Sequence, residues 1–327
     1  MLSFLTRRAL YGLLVLIGVN LATFFLFFTV NTPDDMARMN IGGKRVTQEL
    51  IAKWKVERGY DKPLYWNAAK QGGDQLTQTI FWERSVSLFK LDFGRADSES
   101  AGSIGDEVSR RMWVSIQLAA PIFILQVIAS VSFALLLVMF RHTRLDLAGV
   151  VLCVLMLSIS ALFYIIVGQY MFSRVFKLVP ISGYTNGFDL LRFLALPVLL
   201  SALSRLGTEA RLYRAMFLEE IGRDYVRTAR AKGLAETAVL FRHVLRNALI
   251  PIITSAGGYL PYVFMGSLVF ESFFGIPGLG AYVIEAISKQ DFAIVRTMVF
   301  VGSLLYIASY MLVDIAYTWV DPRVRLG

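Results

Sequence analysis

Residues 219–251 read EEIGRDYVRTARAKGLAETAVLFRHVLRNALIP and lie between two long apolar runs. A polar stretch in that position is a loop at a membrane surface, yet it is patterned like folded structure. Asp224 is a candidate N-cap, and Gly233 a candidate stop, for a short helix over 225–232. Leu240, Phe241, Val244, Leu245 and Ala248 then recur at helical spacing, with Arg242, His243, Arg246 and Asn247 between them. The spacing predicts a second helix, apolar on one stripe and basic on the other, running into the next membrane crossing. Helix, glycine break, helix makes a shaped basic knob. Charge alone would fit Arg227, Arg230, Lys232, Arg242 and Arg246 setting topology against lipid headgroups. The glycine-broken pattern argues for a protein partner as well.

Working outward, the 327 residues are 56% hydrophobic, with mean hydropathy +0.58 and a formal net charge of +9. A soluble domain has no need of such a composition. The single cysteine, Cys153, sits in an apolar run, and the only histidines are His142 and His243. That excludes a disulfide within the chain and any Cys/His metal set, and it leaves Cys153 the reading of an inert apolar residue. Apolar runs at 9–30, 115–140, 147–172, 193–216, 250–270 and 292–320 predict an all-α membrane protein with six crossings. The first run is too long for a signal peptide and is followed by no small-x-small cleavage site, so it reads as an uncleaved helix. Pro197 and the charges from Arg205 onward predict a shortened or tilted fourth crossing. The expected organisation is a first crossing at 1–30, an outer insertion at 31–111, a core at 112–322 with its loop at 217–247, and a tail at 323–327.

Orientation follows from the short connections. Arg7, Arg8, Arg141, Arg144, Arg205, Arg211, Arg214, Arg223, Arg227, Arg230, Lys232, Arg242, Arg246, Arg323 and Arg325 fall on one side. Only Arg174, Lys177, Arg192 and Lys289 fall on the other, the long insertion aside. The positive-inside bias therefore puts both termini in the cytoplasm and the 31–111 insertion outside. It also accounts for the basic balance without nucleic acid. Within 31–111, Trp54, Tyr60, Tyr65, Trp66 and Trp82 speak for folded structure, with a helix over 46–58. Asn20, Gln126 and Gln169 are polar residues within crossings, suited to interhelical hydrogen bonds. Glu271 and Asp314 read as acids near an interface, where capping or snorkelling suffices.

The segment Asp224-Tyr225-Val226-Arg227-Thr228-Ala229-Arg230-Ala231-Lys232-Gly233-Leu234, with His243, Arg246, Asn247 and Pro251, resembles the cytoplasmic coupling ("EAA") loop of ABC importer permeases, in particular those of the dipeptide/oligopeptide/nickel family. Arg227, Thr228 and Ala229 stand where the general pattern has Glu-Ala-Ala, and R-T-A-R-A-K-G is the form the peptide-permease loop takes. Further resemblances follow in order along the chain: Gly59-Tyr60-Asp61-Lys62-Pro63, Leu91-Asp92-Phe93-Gly94, and the closing Asp321-Pro322-Arg323-Val324-Arg325. The run Glu271-Ser272-Phe273-Phe274-Gly275-Ile276-Pro277-Gly278-Leu279-Gly280 resembles the family's outer gate segment.

The resemblance implies the ABC type I importer permease fold in a bacterial inner membrane. By it, Asp224, Tyr225, Arg227, Thr228, Ala229, Arg230, Ala231, Lys232, Gly233, Leu234, His243, Arg246 and Asn247 dock an ATPase, and Glu271, Phe274, Pro277, Gly278, Leu279 and Gly280 form an outer gate. It also implies a second homologous permease subunit, two ATPase subunits and a periplasmic substrate-binding protein as partners, beside membrane lipid. No cofactor is expected in this chain, because ATP and Mg belong to the partner ATPases. Consistent with that, Gly42-Gly43-Lys44 lacks the glycine a phosphate loop needs, Arg38 standing in its place. No catalytic constellation appears, so an enzyme is not expected. The alternative, a self-sufficient secondary transporter or channel, calls for internal repeats and midplane ionisable residues. Neither stands out in the pattern.

Overall fold

The computed structural model describes residues 2–42, 46–98, 102–185, 187 and 189–320, and among them the side chains other than those of 2–5, 264 and 316–320. Gly43-Lys44 and the closing segment at 321–327 lie outside the described residues. The described elements are helical, as the hydropathy pattern predicts. They are α1 (Leu2–Val30), α2 (Pro33–Ile41), α3 (Gln48–Arg58), α4 (Ile104–Met139), α5 (Arg144–Ser158), α6 (Ala161–Val175), α7 (Leu190–Ile221), α8 (Asp224–Ala231), α9 (Glu236–Gly257), α10 (Leu260–Met265), α11 (Leu268–Phe274), α12 (Leu279–Ser288) and α13 (Phe292–Val320), with short turns over 74–90 left unnumbered.

Among the described residues, four helices are long and apolar enough to cross a bilayer: Thr6–Val30, Ile104–Met139, Leu190–Ile221 and Phe292–Ile315. Two bent pairs bring the number to as many as six. One is α5–α6, bent by 91°, and the other runs from α9 into Leu260–Phe274, bent by 52°. The apolar run read as one crossing over 147–172 is thus two helices. Ser160 causes the break: its hydroxyl caps α6 by accepting from the Phe163 N–H at 3.3 Å, and Ile159 before it is extended. Pro197 does not shorten its helix. α7 runs unbroken through Pro197 for 32 residues. The helix expected to run into the fifth crossing does so: α9 starts at Glu236 and passes through Pro251. Each proline removes one donor, which a packed helix tolerates. The breaks fall instead at Gly258–Tyr259 and at Gly266, whose φ is +75°.

The chain divides into two compact units, 1–113 with 279–308, and 114–278 with 309–327. In the first, Thr32 starts α2 with a reciprocal cap, its hydroxyl accepting from the Asp35 N–H and the Asp35 carboxylate accepting from the Thr32 N–H. α3 opens on Thr47 and closes on a left-handed Gly59. Phe24 and Phe28 of α1 pack with Met36, Ile51, Trp54, Tyr60 and Ile80, and Trp54 stacks on Tyr60 with ring centroids 5.4 Å apart. The aromatic insertion is therefore folded, as its composition suggests.

Two carboxylates hold this unit to the start of α13. Asp291 accepts from the Ile294 N–H at 3.1 Å and from the Ser98 N–H at 2.9 Å. Asp97 accepts from the Ala293 N–H at 3.1 Å and from the Tyr60 hydroxyl at 3.0 Å. A helix N-terminus offers unpaired amides and a positive dipole end, so anions suit it. Burial holds the Asp97 carboxyl above the usual carboxylate range despite Arg84 and Arg296 nearby. The same burial, reinforced by Asp97, raises the Tyr60 hydroxyl.

In the second unit, α5 lies close against α7. A Cβ on Gly207 would stand 2.5 Å from the Cys153 carbonyl oxygen, so only glycine permits this approach. Cys153 is buried there, in keeping with an inert packing role. The same pair is clamped by Arg214, which donates to both Asp146 oxygens at 2.9 and 2.7 Å.

Candidate functional site

The loop read as a knob is one. α8 starts after an extended Arg223, which is the N-cap and makes no side-chain cap bond. Asp224 is therefore the first helical residue and not the cap. It still benefits from the dipole in the first turn and lies 3.6 Å from Arg227. Gly233 is the expected stop: at φ +76° its N–H donates to Arg230 O and the Leu234 N–H to Ala229 O. Val226 and Ala229, three apart, turn inward and join Tyr213, Phe217, Val239, Leu240 and Val244 in one core. Asp224, Tyr225, Arg227, Thr228, Ala231, Lys232, Gly233 and Leu234 are exposed.

Two polar clasps fix the knob. Arg230 is half-buried and bonds Glu236 in bidentate fashion at 3.0 and 2.7 Å, and Arg141 reaches the same carboxylate at 3.5 Å. That pairing raises the Arg230 guanidinium further. The Tyr225 hydroxyl donates to Glu220, with the Asn247 amide also engaging it. Burial first, and then Glu220, push this hydroxyl up to about 12. The structure so brings together Tyr225 with Asn247, while Arg246 stays exposed and His243 half-buried on α9. Sequence reading passed over Glu220 and Glu236 and counted Arg141 only among the inside charges. Glu236 carried a signal, an acid in the first turn of the helix after Gly233.

The stripe of α9 also differs from expectation. Leu240, Val244, Ala248 and Ile252 are buried, whereas Phe241 is exposed. A π-helical turn over Leu240–Val244 adds a residue to the turn and rotates Phe241 outward.

Further along, Ser267 caps α11 and Gly275 closes it at φ +62°. Glu271 is fully buried, and not an acid at an open interface. The Ser115 hydroxyl donates to its Oε1 at 2.8 Å and the Ser267 N–H at 3.3 Å. A Cβ on Gly266 would lie 2.1 Å from Oε1, and one on Gly278 would lie 2.4 Å from Oε2, so the carboxyl sits in a socket that two glycines make possible. Asp314, expected near an interface as well, is also buried. Phe274 is buried and Pro277 exposed; the Phe274 carbonyl accepts from the Gly183 N–H at 2.7 Å. Gln169 donates to Phe273 O and Ile181 O at 3.2 and 3.0 Å, bridging segments as its place in an apolar run suggests. Leu279 and Gly280 belong to the other unit, where Leu279 packs with Tyr282, Ala286 and Ala293. In that unit Asn20 ties α1 to Ser85 O at 3.0 Å.

Between α4, α7 and the broken α9–α11 run lies a cavity of about 420 Å³, lined by Leu118, Ile122, Phe123 and Gln126, by Ser201, Ser204 and Arg205, and by Tyr259, Tyr262, Ser267 and Phe270. The Arg205 guanidinium stands 4.8 Å from the Tyr259 ring centroid. The Tyr259 hydroxyl donates to Glu209, which is buried. Sequence reading counted Arg205 among the inside charges and passed over Glu209.

Helices that cross a bilayer, broken where they border a polar-edged cavity, define a membrane transport protein. The profile of the binding-protein-dependent transport system inner membrane component family matches residues 101–326, and that family's N-terminal profile matches residues 1–85. The chain belongs to this family and is a permease subunit of a binding-protein-dependent ABC importer of the inner membrane. It is 32% identical over 330 residues to a putative peptide transport system permease protein of Brucella abortus (strain 2308), covering 99% of each chain. Over 285 residues it is 32% identical to the dipeptide transport system permease protein of Bacillus subtilis (strain 168), covering 86% of this chain and 87% of that one. A glutathione transport system permease protein of Salmonella choleraesuis (strain SC-B67) is 28% identical over 325 residues, 99% of each. A self-sufficient secondary transporter or channel is not favoured beside this membership.

Proposed function

We propose that this permease carries short peptides or related solutes inward, pairing with a second homologous permease subunit, two ATPase subunits and a periplasmic binding protein. Its termini face the cytoplasm, and α8 is the handle by which an ATPase moves it. Nucleotide closure of the ATPases carries α8 with it, and the helices around the cavity pass between inward- and outward-open arrangements. The Glu271–Gly280 stretch lines the outer mouth. ATP hydrolysis takes place on the partner subunits.

One observation carries the reading. α8 presents Tyr225, Arg227, Thr228 and Lys232 outward, while Val226 and Ala229 lock it into its own chain's core. A helix so exposed on one face and so anchored on the other can take a load and pass it on. A coupling of this kind works only through states that the partner binds with different affinity.

Thr228→Cys tests the contact. Cys153 is the chain's own single cysteine and is buried, so the new thiol is the reactive one. It should cross-link to the ATPase subunit in the assembled importer. Arg227→Glu should leave membrane insertion intact and abolish stimulation of ATP hydrolysis by the loaded binding protein. Unchanged stimulation, with no cross-link at 228, would sink the docking role.

A further inference from the structure

The cavity has a chemistry that the family membership does not specify. One wall is apolar, made by Leu118, Ile122, Phe123 and Phe270. The polar part of the lining is Arg205 over the face of Tyr259, with Ser201 and Ser204 on the same helix as Arg205. Among the described residues Arg205 has no ion-pair partner. A crossing of about 20 residues that begins at Leu190 includes both Arg205 and Glu209. A cation within a crossing marks a substrate path unless a fixed anion neutralises it. Glu209 does not neutralise it directly. Its carboxylate accepts from the Tyr259 hydroxyl and so holds the ring on which the guanidinium rests. A volume of about 420 Å³ falls in the range of pockets that enclose small ligands.

We infer that this cavity is a transient subsite for the carboxylate end of a peptide in transit. Arg205 takes the C-terminal carboxylate, the serines meet the backbone, and the apolar wall takes the side chains. Arg205 is the specificity-determining residue, and Glu209, through Tyr259, is a positioning residue. The inference rests on the peptide reading above. It adds selection inside the membrane to whatever selection the binding protein makes.

The complete importer, reconstituted in vesicles with its partner subunits and binding protein, tests it with a labelled tripeptide. Arg205→Gln should cut the peptide moved per ATP hydrolysed by about ten- to hundredfold, the scale of a charge-assisted bond. Arg205→Lys should keep most of it. A photo-crosslinking residue at Ala119, in the cavity wall, gives a readout in the wild-type Arg205 background without the binding protein. Unlabelled tripeptide should compete for capture there, and its C-terminal amide should compete at least about tenfold less. Equal competition by acid and amide, or R205Q transporting as wild type does, overturns the carboxylate site and leaves the peptide reading standing. Wild-type vesicles that hydrolyse ATP yet move no peptide overturn both.

Discussion

Gly266→Ala should be among the most damaging single-methyl additions in this chain, and its cost can be worked from the geometry. Gly266 has φ +75° and ψ −179°, a region open essentially to glycine alone. Placing a side chain there costs about 1–3 kcal/mol. The added Cβ would also stand 2.1 Å from Glu271 Oε1 and 2.7 Å from Ser115 Oγ, which themselves lie 2.8 Å apart. To make room the carboxyl must leave its socket, losing a bond worth about 1.5–3 kcal/mol where one partner is charged. Together these give roughly 2.5–6 kcal/mol, a large share of the roughly 5–15 kcal/mol that folded proteins hold in reserve. The assay is the melting temperature of the purified chain in detergent, with Gly18→Ala as control, since a Cβ at 18 meets nothing within 4 Å. A fall on the order of 10 °C is expected for G266A and almost none for G18A. The double variant Gly266→Ala/Glu271→Ala separates the two terms. It removes the clash with the carboxyl and retains the backbone strain, so it should recover stability relative to an additive sum of the single changes. If G266A melts with G18A, or if the double variant is strictly additive, the glycine socket is not what holds this segment.

Other expectations follow from the same geometry. Gly233→Ala should destabilise by only about 1–2 kcal/mol, since φ is positive but space around it is open; Gly233→Asn should cost less, and denaturation of the two variants decides it. Asp146→Asn should cost more than removing an exposed pair, about 3 kcal/mol, because it leaves Arg214 half-buried without its bidentate anion; melting of D146N against Arg223→Gln, whose Glu219 partner is exposed, reads the difference. The raised Asp97 carboxyl makes a signed pH prediction: its folded state holds the proton to higher pH than the unfolded chain does, so the contribution is present below the unfolded value, about 3.9, and is lost as pH rises through the folded one. Asp97→Asn should flatten that slope in melting scans across the acidic range, and an unchanged slope would count against it.

How much of this was legible in the sequence depends on the distance between the residues that make each feature. Gly233 was legible because a helix stop is local: a positive φ, two backbone bonds and no distant partner. Asp224 was misread by a single position, because a side chain that can cap a helix also suits its first turn, and Arg223 took the extended position without a cap bond. The break at Ser160 was hidden in an apolar run, where a serine reads as a tolerated polar residue. Glu271 could not have been placed from its neighbours, since its socket draws on Ser115, 156 positions away. The cavity is harder still, because Arg205 and Tyr259 meet only once α7 and the broken α9–α11 run are packed. Residues that looked like surface charge in the count of basic side chains proved to be clamps, Arg214 on Asp146 and Arg230 on Glu236.

Ala229 shows why burial matters to any test of coupling. Within the resemblance it belongs to the docking helix, and its small size suggests a flat contact for a partner. In the folded chain it is buried with Val226, so a bulky residue at 229 would break this protein's own core before it met an ATPase. The energies say which anchor governs the helix. Burying a side chain the size of Val226 is worth about 1.5–3 kcal/mol. The Arg230–Glu236 pair, about a third to a half exposed, adds at most about 1 kcal/mol after solvent screening. The core that receives Val226 and Ala229 is built from Ala134, Leu135 and Val138 of α4, Tyr213, Phe217 and Ile221 of α7, and Val239, Leu240, Val244 and Ile252 of α9. Close-packed interiors transmit displacement because they hold little free volume. A force on α8 is thus passed first to α4 and α7, whose midsections line the cavity, and to α9, which leads into the broken segment that completes its lining. Cutting the polar clasp should weaken that transfer slightly. Opening a void with Phe217→Ala should cost about 3–5 kcal/mol and uncouple peptide movement from ATP hydrolysis even though Phe217 touches neither the cavity nor any exposed face of α8. Tight coupling in an assembled F217A importer would mean that the load travels through the clasp and not through the core.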